Sequence, residues 1–328
     1  MKKISKIIFI GGNRYREDGP LIGFAKECQK QKIEVMLLVD KERINYPTET
    51  IGSFKTALKK HNIRYKIVKS IDKKTIKDHL KADTIAFSVN CRWIIRKDII
   101  ELMDNNVFNY HNSSLPDQRG AACHSWRLMQ GKTNSHLTIH KINPGIDKGE
   151  IIIQKAIKFP KTCKNLMSTY KYTEKFEQIL FKKFLTLKKY KVTQQNENNS
   201  FYWPRLDTPK HGLINWNWTA NEIKLFCSAF DAPFKGASTF IDKYRVFFHD
   251  VELADMKTYF HPFQAGLVYR IKNGFYYIAT TKGGIKIKEI RVEDKKNKII
   301  KSFKIKLGHR FITPSEELSL ALINKNKY

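Results

Sequence analysis

Cysteine is scarce in the 328-residue sequence, and no two cysteines form a CxxC pair. The five thiols are Cys28, Cys91, Cys123, Cys163 and Cys227. An odd number of widely spaced thiols in a chain of this length argues against a disulfide framework and against a structural zinc site. We therefore expect a reduced, cytoplasmic protein without a bound metal.

Long hydrophobic runs are also missing. The opening stretch "MKKISKIIFIGGN" has the positive charge of a signal peptide, but its apolar run extends only over residues 7–10. Such a run is too short for the apolar region of a signal peptide and far too short to span a bilayer. It fits a buried first strand, and we expect no membrane association.

Acidic residues are few, at 31 against 61 basic residues, which gives a net charge of +30. This excess is typical of proteins with a polyanionic partner. However, 48 of the basic residues are Lys and only 13 are Arg, whereas proteins that read bases or bind phosphates in a bidentate manner rely on Arg. A functional polyanion site and a lysine-rich composition without a specific role both remain open.

Short apolar runs alternate with segments of helical periodicity over the first 111 residues. The predicted strands are "KIIFIGG", "IEVMLLVD", "RYKIVKS", "TIAFSV" and "VFNYH", and the helices between them are "PLIGFAKECQKQK", "SFKTALKKHN", "TIKDHLK" and "KDIIELMDN". This alternation predicts parallel crossovers in a Rossmann-like α/β sheet. Ligands of such sheets bind beyond the carboxyl ends of the strands. The glycines after the first strand lack the full GxGxxG spacing, so we interpret them as a tight turn.

The second half of the chain has a different pattern. A long amphipathic helix is predicted over "NLMSTYKYTEKFEQILFKKFLTLKKY", and the polar stretch "QQNENNS" at residues 194–200 is predicted to be a linker. Further on, "GLVYRIKNGFYYIATTKGGIKIKEIRV" shows alternation interrupted by "NG" and "GG", which indicates hairpins. We therefore predict a catalytic α/β domain over residues 1–200 and a smaller, mostly β domain with a leading helix over 201–328.

A group of polar residues follows the fifth predicted strand. Asn109 and His111 are two positions apart, so their side chains share one face of the strand. Asn offers an amide donor to a developing oxyanion, and His exchanges a proton near neutral pH. Asp147 lies further on between two glycines, and an Asp beside His111 would orient the imidazole. Without a nearby nucleophilic Ser or Cys, this set suits direct attack of an amine on an acyl carbon.

Two segments resemble the formyltransferases that use N10-formyltetrahydrofolate. "FNYHNSSLPDQRGAACHSWRLMQGK" is similar to their N-x-H…SLLP-x-x-RG stretch, and "LTIHKINPGIDKGEIIIQ" to their D-x-G-x-I-x-x-Q stretch. The resemblance implies a catalytic triad of Asn109, His111 and Asp147. His111 would assist proton removal from the amine or hydrogen-bond the oxyanion, Asn109 would hold the oxyanion, and Asp147 would orient His111 or a water. It also implies that N10-formyltetrahydrofolate is the co-substrate and that its pteridine lies against backbone near Ser88, Val89, Asn90, Cys91, Arg92, Ile142 and Gly145. One departure is Ser114, where the family usually has Leu.

The C-terminal half resembles the sugar-nucleotide members of this family more than methionyl-tRNA formyltransferase. "PKHGLINW" has Asn before Trp, as in the sugar enzymes, and the loop "VDKERINYPTETIGS" has no Gly-Arg-Gly run of the tRNA enzyme. The end of the chain resembles the OB-like open barrel that both groups carry. The resemblance implies a nucleotide-diphosphate amino sugar as acceptor, used for surface polysaccharide synthesis, and a homodimer. The tRNA acceptor remains an alternative because residues 281–310 hold 11 basic residues against three acidic ones.

A sugar nucleotide needs an aromatic ring for its base and one or two cations for its pyrophosphate. Tyr202, Trp203 and Arg205 lie on a strand-like segment near the predicted domain junction. Arg119 is a further candidate, either for the pyrophosphate or as an anchor of its own loop. The base, the sugar, the position of its amine and the role of the basic stretch are left open.

Overall fold

A computed structural model describes residues 4–13, 15–17, 19–48, 52–187 and 189–323. The strands of the N-terminal half are β1 Lys6–Gly11, β2 Glu34–Val39, β3 Pro47–Thr48, β4 Gly52–Ser53, β5 Tyr65–Ile67, β6 Thr84–Val89, β7 Val107–His111, β8 Arg119–Gly120, β9 Asn134–Lys141 and β10 Ile151–Lys158. Its helices are α1 Pro20–Lys30, α2 Phe54–Lys60, α3 Lys73–Lys77, α4 Lys97–Leu102, α5 Cys123–Met129 and α6 Leu166–Thr186.

The C-terminal part contains strands β11 Tyr202–Trp203, β12 Ala237–Ile241, β13 Tyr244–Phe248, β14 Glu252–Asp255, β15 Val268–Lys272, β16 Phe275–Ala279, β17 Gly284–Ile287 and β18 Ile290–Glu293. Its helices are α7 Thr208–His211, α8 Ala220–Phe230 and α9 Ser315–Ile323. Short 3-10 turns cover Arg43–Asn45, Glu197–Asn199 and Pro262–Gln264.

The central sheet of the N-terminal half has the strand order β10-β9-β7-β6-β1-β2-β5. The five strands predicted from the sequence, now β1, β2, β5, β6 and β7, are parallel to their neighbours within this group. β9 and β10 extend the sheet in antiparallel pairing. The predicted mostly parallel sheet is therefore confirmed, and β7 lies between a parallel and an antiparallel neighbour.

Both faces of this sheet are covered by apolar side chains. One face packs α1 and α6 against a cluster that includes Phe9, Phe87 and Phe108, with Phe24 and Phe181 stacked 4.2 Å apart. The other face forms a smaller cluster around residues of α3 and α4. Because both faces are buried, the parallel strands read as nearly continuous hydrophobic runs, which is why the sequence predicts them well.

Helix ends follow the local signals of the sequence. Asn165 caps the N-terminus of α6, and its side chain accepts a hydrogen bond from the Ser168 N–H at 3.0 Å in a capping box. Thr219 and Glu222 form the same motif before α8. The predicted helix over 97–105 ends early at Leu102, because Asp104 and Asn105 adopt positive φ angles of 48° and 59°.

The C-terminal part is mostly antiparallel β structure, as predicted. β12, β13 and β18 form one sheet, and β14, β17, β16 and β15 form another. The "NG" and "GG" signals lie in the connections between β15 and β16 and between β16 and β17. The core under these sheets also includes Leu128 and Leu166 from the N-terminal half, so the two halves share apolar contacts.

Candidate active site

The carboxyl end of β7 carries Asn109 and His111 on one face of the sheet. Ser88 of β6 lies opposite Asn109 on one side, and His140 of β9 lies opposite it on the other. His111 is 6% exposed and His140 is 2% exposed. The strand order therefore places Asn109 in the middle of a row of polar side chains that water barely reaches.

Asp147 reaches this row from the loop between β9 and β10. Its Oδ1 accepts a hydrogen bond from Asn109 Nδ2 at 3.3 Å, and its Oδ2 accepts one from the Gly120 N–H at 2.9 Å. Oδ2 also lies 3.7 Å from Nδ1 of His111. The structure thus brings together the three side chains that the sequence pattern indicates, although 38 residues separate Asn109 from Asp147.

Two glycines allow this loop to approach so closely. A Cβ atom at Gly149 would lie 1.8 Å from the carbonyl oxygen of Lys141. Gly120 has a φ of +98°, and a Cβ there would lie 2.3 Å from the carbonyl oxygen of Trp203. A larger residue at either position would push apart the backbone segments that meet at Asp147.

Hydrogen bonding and charge fix the state of His111. Its Nε2–H donates to the carbonyl oxygen of Gln118 at 2.6 Å, which leaves Nδ1 facing Asp147. Burial is the largest single influence and opposes the charged imidazole, but the Asp147 carboxylate and smaller contributions from Cys123 together outweigh it and raise the pKa of His111 to about 9. Burial likewise opposes ionisation of Asp147, but His111 and His140 hold the pKa of that carboxyl well below its usual range. The pair is therefore ionised at neutral pH.

This coupling gives a spectroscopic prediction. We expect the imidazole signals of His111 to titrate with a midpoint near pH 9 in the native protein. In Asp147→Asn the midpoint should fall to 6.5 or lower, because burial then acts without the compensating charge. Heteronuclear NMR of ring-labelled histidine measures both values, and an unchanged midpoint in the variant would contradict the assignment of Asp147 as the charge partner.

His140 belongs to the site, although the sequence pattern alone does not select it. Its Nδ1–H donates to the Lys141 carbonyl oxygen at 2.7 Å, and its Nε2 lies 3.0 Å from Asn109 Nδ2. Nε2 is also 3.4 Å from Asp147 Oδ1. The amide of Asn109 is thus held between His140 and Asp147. The available signal was the polar His140 inside the apolar strand "LTIHK", but only the register places it opposite Asn109.

The loop "NSSLPDQRG" closes the site after β7. The side chain of Gln118 accepts a hydrogen bond from the Ser113 hydroxyl, while its backbone carbonyl holds His111. Gln154 of β10 accepts from the Leu115 N–H at 2.9 Å, and Thr138 Oγ1 lies 2.7 Å from Gln154 Oε1. The turn-like residues of this loop therefore fix the partner of His111 through buried polar contacts.

Of the predicted folate-binding residues, Ser88 lies on the same face of the sheet as Asn109, whereas the side chain of Val89 packs into the apolar cluster on the opposite face. Ser88 and Val89 end β6, and Asn90 donates to the Gly12 carbonyl oxygen at 3.3 Å. Cys91 and Ile142 both pack against the smaller apolar cluster, so the two predicted segments share one wall. Gly145 is exposed in the loop between β9 and β10, two residues before Asp147.

Arg92 points away from this wall, toward the carboxyl end of β2. Its Nη1 lies 3.1 Å from Glu42 Oε2 and 3.5 Å from Asp40 Oδ1. Arg43 Nη1 also pairs with Asp40, at 2.8 Å. Acidic side chains therefore neutralise both arginines on this rim.

Tyr202 is a predicted substrate residue that lies close enough to the triad for the charge of Asp147 to act on it. β11 pairs with β8, so Tyr202 lies beside Arg119 and its ring approaches Gly120. Burial and the nearby Asp147 charge raise the pKa of the Tyr202 hydroxyl. The ring is 48% exposed, so it forms an accessible wall next to the catalytic carboxylate candidate.

Trp203 and Arg205 follow on the same segment. Trp203 donates its indole N–H to the Asp117 carbonyl oxygen at 2.9 Å and packs 5.5 Å from Trp126, a residue that the sequence analysis did not select. Trp126 in turn donates to the Pro204 carbonyl oxygen at 2.9 Å. Arg205 is half-buried two positions beyond β11.

Arg119 is buried, at 4% exposure, and its guanidinium is already engaged. It contacts Gln195 Oε1 through Nε and Nη2, at 3.0 and 2.8 Å, and Glu197 through Nη1 and Nη2, at 2.9 and 2.8 Å. These contacts fit the loop-anchoring alternative for Arg119 rather than binding of a pyrophosphate. They also show that the predicted linker 194–200 makes specific contacts with the N-terminal half.

The comparisons with known proteins agree with this architecture. The formyl transferase family matches residues 25–184, and the formyl transferase C-terminal domain family matches residues 208–306. This chain belongs to the formyl transferase family. The predicted domain boundary, at residues 200 and 201, falls between the two matched regions.

Among curated relatives, this formyl transferase is 32% identical over 200 residues to the bifunctional polymyxin resistance protein ArnA of Wigglesworthia glossinidia brevipalpis. That match covers 57% of this chain and 30% of the relative. It is 30% identical over 213 residues to methionyl-tRNA formyltransferase of Desulfotalea psychrophila, which covers 64% of each chain. The matches thus span less than two thirds of either relative.

Among solved structures, the fold resembles an N-formyltransferase from Helicobacter canadensis in complex with folinic acid and dTDP-3-aminofucose. The TM-score is 0.62 at 20% identity, over 87% of this chain and 98% of the other.

The described residues contain no group of three or more His, Cys, Asp or Glu side chains that could hold a metal ion. In the same part of the chain, no helix has the length and apolar character needed to cross a membrane.

Proposed function

We propose that this formyl transferase moves the formyl group of N10-formyltetrahydrofolate to the amine of a nucleotide-linked amino sugar. The observation that carries the proposal is the convergence of Asn109, His111 and Asp147 at the carboxyl end of β7, with an ionised His–Asp pair. The amine nitrogen attacks the formyl carbon, the bond from that carbon to N10 breaks, the amine loses one proton, and N10 gains one. No covalent enzyme intermediate is needed.

The protonation state favours one of the two roles considered for His111. A group with a pKa of about 9 is an imidazolium at neutral pH, so it donates a hydrogen bond to the oxyanion better than it accepts a proton from the amine. Since Nε2–H is bound to the Gln118 carbonyl oxygen, the donor to the oxyanion is Nδ1–H, whose nitrogen lies 3.7 Å from Asp147 Oδ2. The Asn109 amide becomes a second donor for the same oxygen when one of its two N–H groups leaves His140 or Asp147. Asp147 keeps His111 charged and oriented.

The surroundings of the site support a sugar-nucleotide acceptor. Tyr202 offers an exposed ring beside Asp147 for the base or the sugar, and the structurally similar Helicobacter canadensis protein was crystallised with dTDP-3-aminofucose. On the opposite rim, Asp40 and Glu42 neutralise Arg92, which makes that rim a poor surface for RNA phosphates. We propose a dTDP- or GDP-linked 3- or 4-amino-dideoxy sugar destined for a surface polysaccharide such as the lipopolysaccharide O-antigen.

Methionyl-tRNA formyltransferase activity is the second candidate, because a relative with that name is 30% identical. The charge distribution does not favour it. Residues 1–200 hold 39 basic and 19 acidic residues, and residues 201–328 hold 22 and 12, so both halves carry an excess of positive charge. An excess in both halves is expected of a lysine-rich composition, although most of the excess in the second half lies in residues 281–310, the stretch that a tRNA surface would use.

The deciding experiment measures release of tetrahydrofolate from N10-formyltetrahydrofolate. A panel of nucleotide-linked 3-amino and 4-amino sugars is compared with charged initiator tRNA. We expect turnover with at least one sugar nucleotide and none with tRNA. Turnover with tRNA but with none of the sugar nucleotides, together with an affinity for tRNA that falls steeply as salt is added, would support methionyl-tRNA formyltransferase activity instead.

Tyr202→Ala tests the proposed wall for the acceptor. Loss of a stacking ring worth about 0.5–1.5 kcal/mol should raise KM for the sugar nucleotide roughly 2- to 12-fold, with kcat nearly unchanged. The neighbouring Phe201, which is 65% exposed, provides the matched control as Phe201→Ala. Equal effects of the two substitutions on KM would contradict a specific contact of Tyr202 with the acceptor.

We further infer that the protein acts in the cytoplasm as a homodimer. The five cysteines, all within the described residues, are free thiols, as a reducing compartment would maintain them. The homodimer rests on the family resemblance alone. Light scattering coupled to size-exclusion chromatography measures the assembly directly.

A further inference from the structure

The segment after α6 carries a side chain that binds the loop of Asp147. Gln195 uses both hydrogens of its amide, because Nε2 donates to the carbonyl oxygens of Asp147 and Gly149 at 2.8 and 2.7 Å. One of these carbonyls belongs to Asp147 itself, and the other lies two residues after it. Gln195 therefore fixes the backbone of the loop rather than its side chain.

The other end of the same amide is fixed by Arg119. Gln195 Oε1 accepts from Arg119 Nε at 3.0 Å and from Nη2 at 2.8 Å. Glu197 binds the remaining side of the guanidinium, and these contacts lower the pKa of Glu197 to about 2. Both donors and both acceptor positions of the Gln195 amide are thus occupied, so its orientation is unambiguous.

The two residues of β8 hold Asp147 from two directions. Arg119 acts on its backbone through Gln195, and the N–H of Gly120 donates directly to Oδ2 at 2.9 Å. The side chain of Asp147 thereby has a fixed position 3.7 Å from His111 Nδ1. A shift of the loop would change this distance together with the distances from Asp147 to Asn109 and His140.

The backbone of Asp147 needs such support. Its φ of +50° lies in the left-handed region, which is unfavourable for a residue other than glycine unless neighbouring contacts impose it. The Gln195 bonds to residues 147 and 149 are contacts of this kind. A Glu at position 195 would keep the interaction with Arg119, but it would place an acceptor against two carbonyl oxygens.

We propose that Gln195, anchored by Arg119, is a positioning residue for formyl transfer that sets the place of the Asp147 carboxylate relative to His111. The inference rests on the proposed function, since it assigns Asp147 and His111 to the reaction. It differs from a purely structural role, in which Gln195 would only attach the connecting segment to the N-terminal half. The two roles predict different effects on kcat and on the titration of His111.

The test compares Gln195→Glu with Gln194→Glu, which makes the same chemical change at the exposed neighbouring position. We expect Gln195→Glu to lower kcat about 10- to 100-fold, since a misplacement of about 1 Å can cost 100-fold. KM for the sugar nucleotide should stay within about threefold. The NMR titration midpoint of His111 should move from about 9 toward 6.5, because the displaced Asp147 carboxylate then stabilises the positive charge of the imidazolium less. Gln194→Glu should leave all three quantities unchanged.

The titration of His111 is independent of activity, so the two hypotheses fail separately. An inactive native protein whose His111 midpoint still moves in Gln195→Glu would overturn the proposed function and keep the positioning role. A normal kcat and an unchanged midpoint in Gln195→Glu would overturn the positioning role. Cys123 and His140, the other groups that face His111, are unaltered in both variants.

A second variant keeps the test valid if Gln195→Glu does not fold. Gln195→Met removes the hydrogen bonds without adding charge and should show the same loss of kcat. Arg119→Lys keeps the positive charge but not the planar guanidinium that binds Gln195 and Glu197 together. It should therefore give a kcat between those of the native protein and Gln195→Met. A lower Tm with unchanged kcat in both variants would assign Gln195 to attachment of the segment alone and overturn the proposal.

Discussion

Replacing Asp147 by Asn is expected to lower kcat by about 10²- to 10⁴-fold, the range associated with losing a group that orients a catalytic histidine or takes part in proton transfer. Asn keeps the shape of the side chain and can still accept a hydrogen bond from the Gly120 N–H. It removes the charge that keeps His111 protonated, so at neutral pH the imidazole no longer provides a charged donor to the oxyanion.

The pH profile separates this effect from simple misfolding. In the native enzyme, a donor role for charged His111 predicts that kcat falls as pH rises through about 9. The contribution of the charged pair to stability has the same direction for His111. Since the folded pKa is raised from 6.5, that contribution is complete below pH 6.5 and is lost as pH rises through about 9. In Asp147→Asn the alkaline fall of kcat should begin at lower pH.

Asp242→Asn provides the control for this substitution. Asp242 is exposed in the β12–β13 turn and has a φ of +51°, close to the +50° of Asp147. The same change of charge on the same backbone conformation, away from the site, should leave kcat within experimental error. A similar loss of activity in both variants would show that net charge, rather than the His111–Asp147 pair, governs the rate.

Replacing Glu177 by Ala is expected to lower the free energy of unfolding by about 3–5 kcal/mol, because it leaves a buried arginine without its counter-charge. Glu177 is 2% exposed and Arg16 is 5% exposed. Arg16 Nη2 lies 3.0 Å from Glu177 Oε2, and Glu177 Oε1 accepts from Tyr110 and Thr173 at 3.0 Å each. Tyr110 lies between Asn109 and His111 in β7, so this network supports the active-site strand from behind.

Thermal unfolding measures this effect, and we expect Tm to fall by about 4–7 °C. Glu174→Ala is the matched control, because Glu174 lies 3.8 Å from the same Arg16 but is one third exposed. Its removal should cost no more than about 1 kcal/mol. The double variant Arg16→Met with Glu177→Met should be more stable than Glu177→Ala, since it leaves no unpaired charge. Equal losses in Glu177→Ala and Glu174→Ala would contradict the importance of the buried pair.

Much of the fold was determined by local patterns in the sequence. The strands β6 and β7 begin and end at the predicted residues, because a strand buried on both faces is an uninterrupted apolar run bounded by polar turns. The hairpins after residue 255 followed from alternation and from glycine at the turns. The pairing of Asn109 with His111 also follows from the sequence, since a period of two places both on one face.

Other features were decided by contacts between distant segments, which leave no local pattern. His140 joins the site because β9 pairs with β7 in one register, and a shift by one residue would turn it to the other face. Gln195 lies in a polar stretch without periodicity, and only the fold brings it to the carbonyl oxygen of Asp147. The charge of Arg119 made it a candidate for binding a pyrophosphate. In the fold, however, its buried guanidinium forms hydrogen bonds with Gln195 and Glu197. The sequence by itself determined which chemical groups are present and on which strand faces they lie. The tertiary structure decided their partners, because hydrogen bonds and pKa values depend on distances of a few ångströms between residues far apart in the chain.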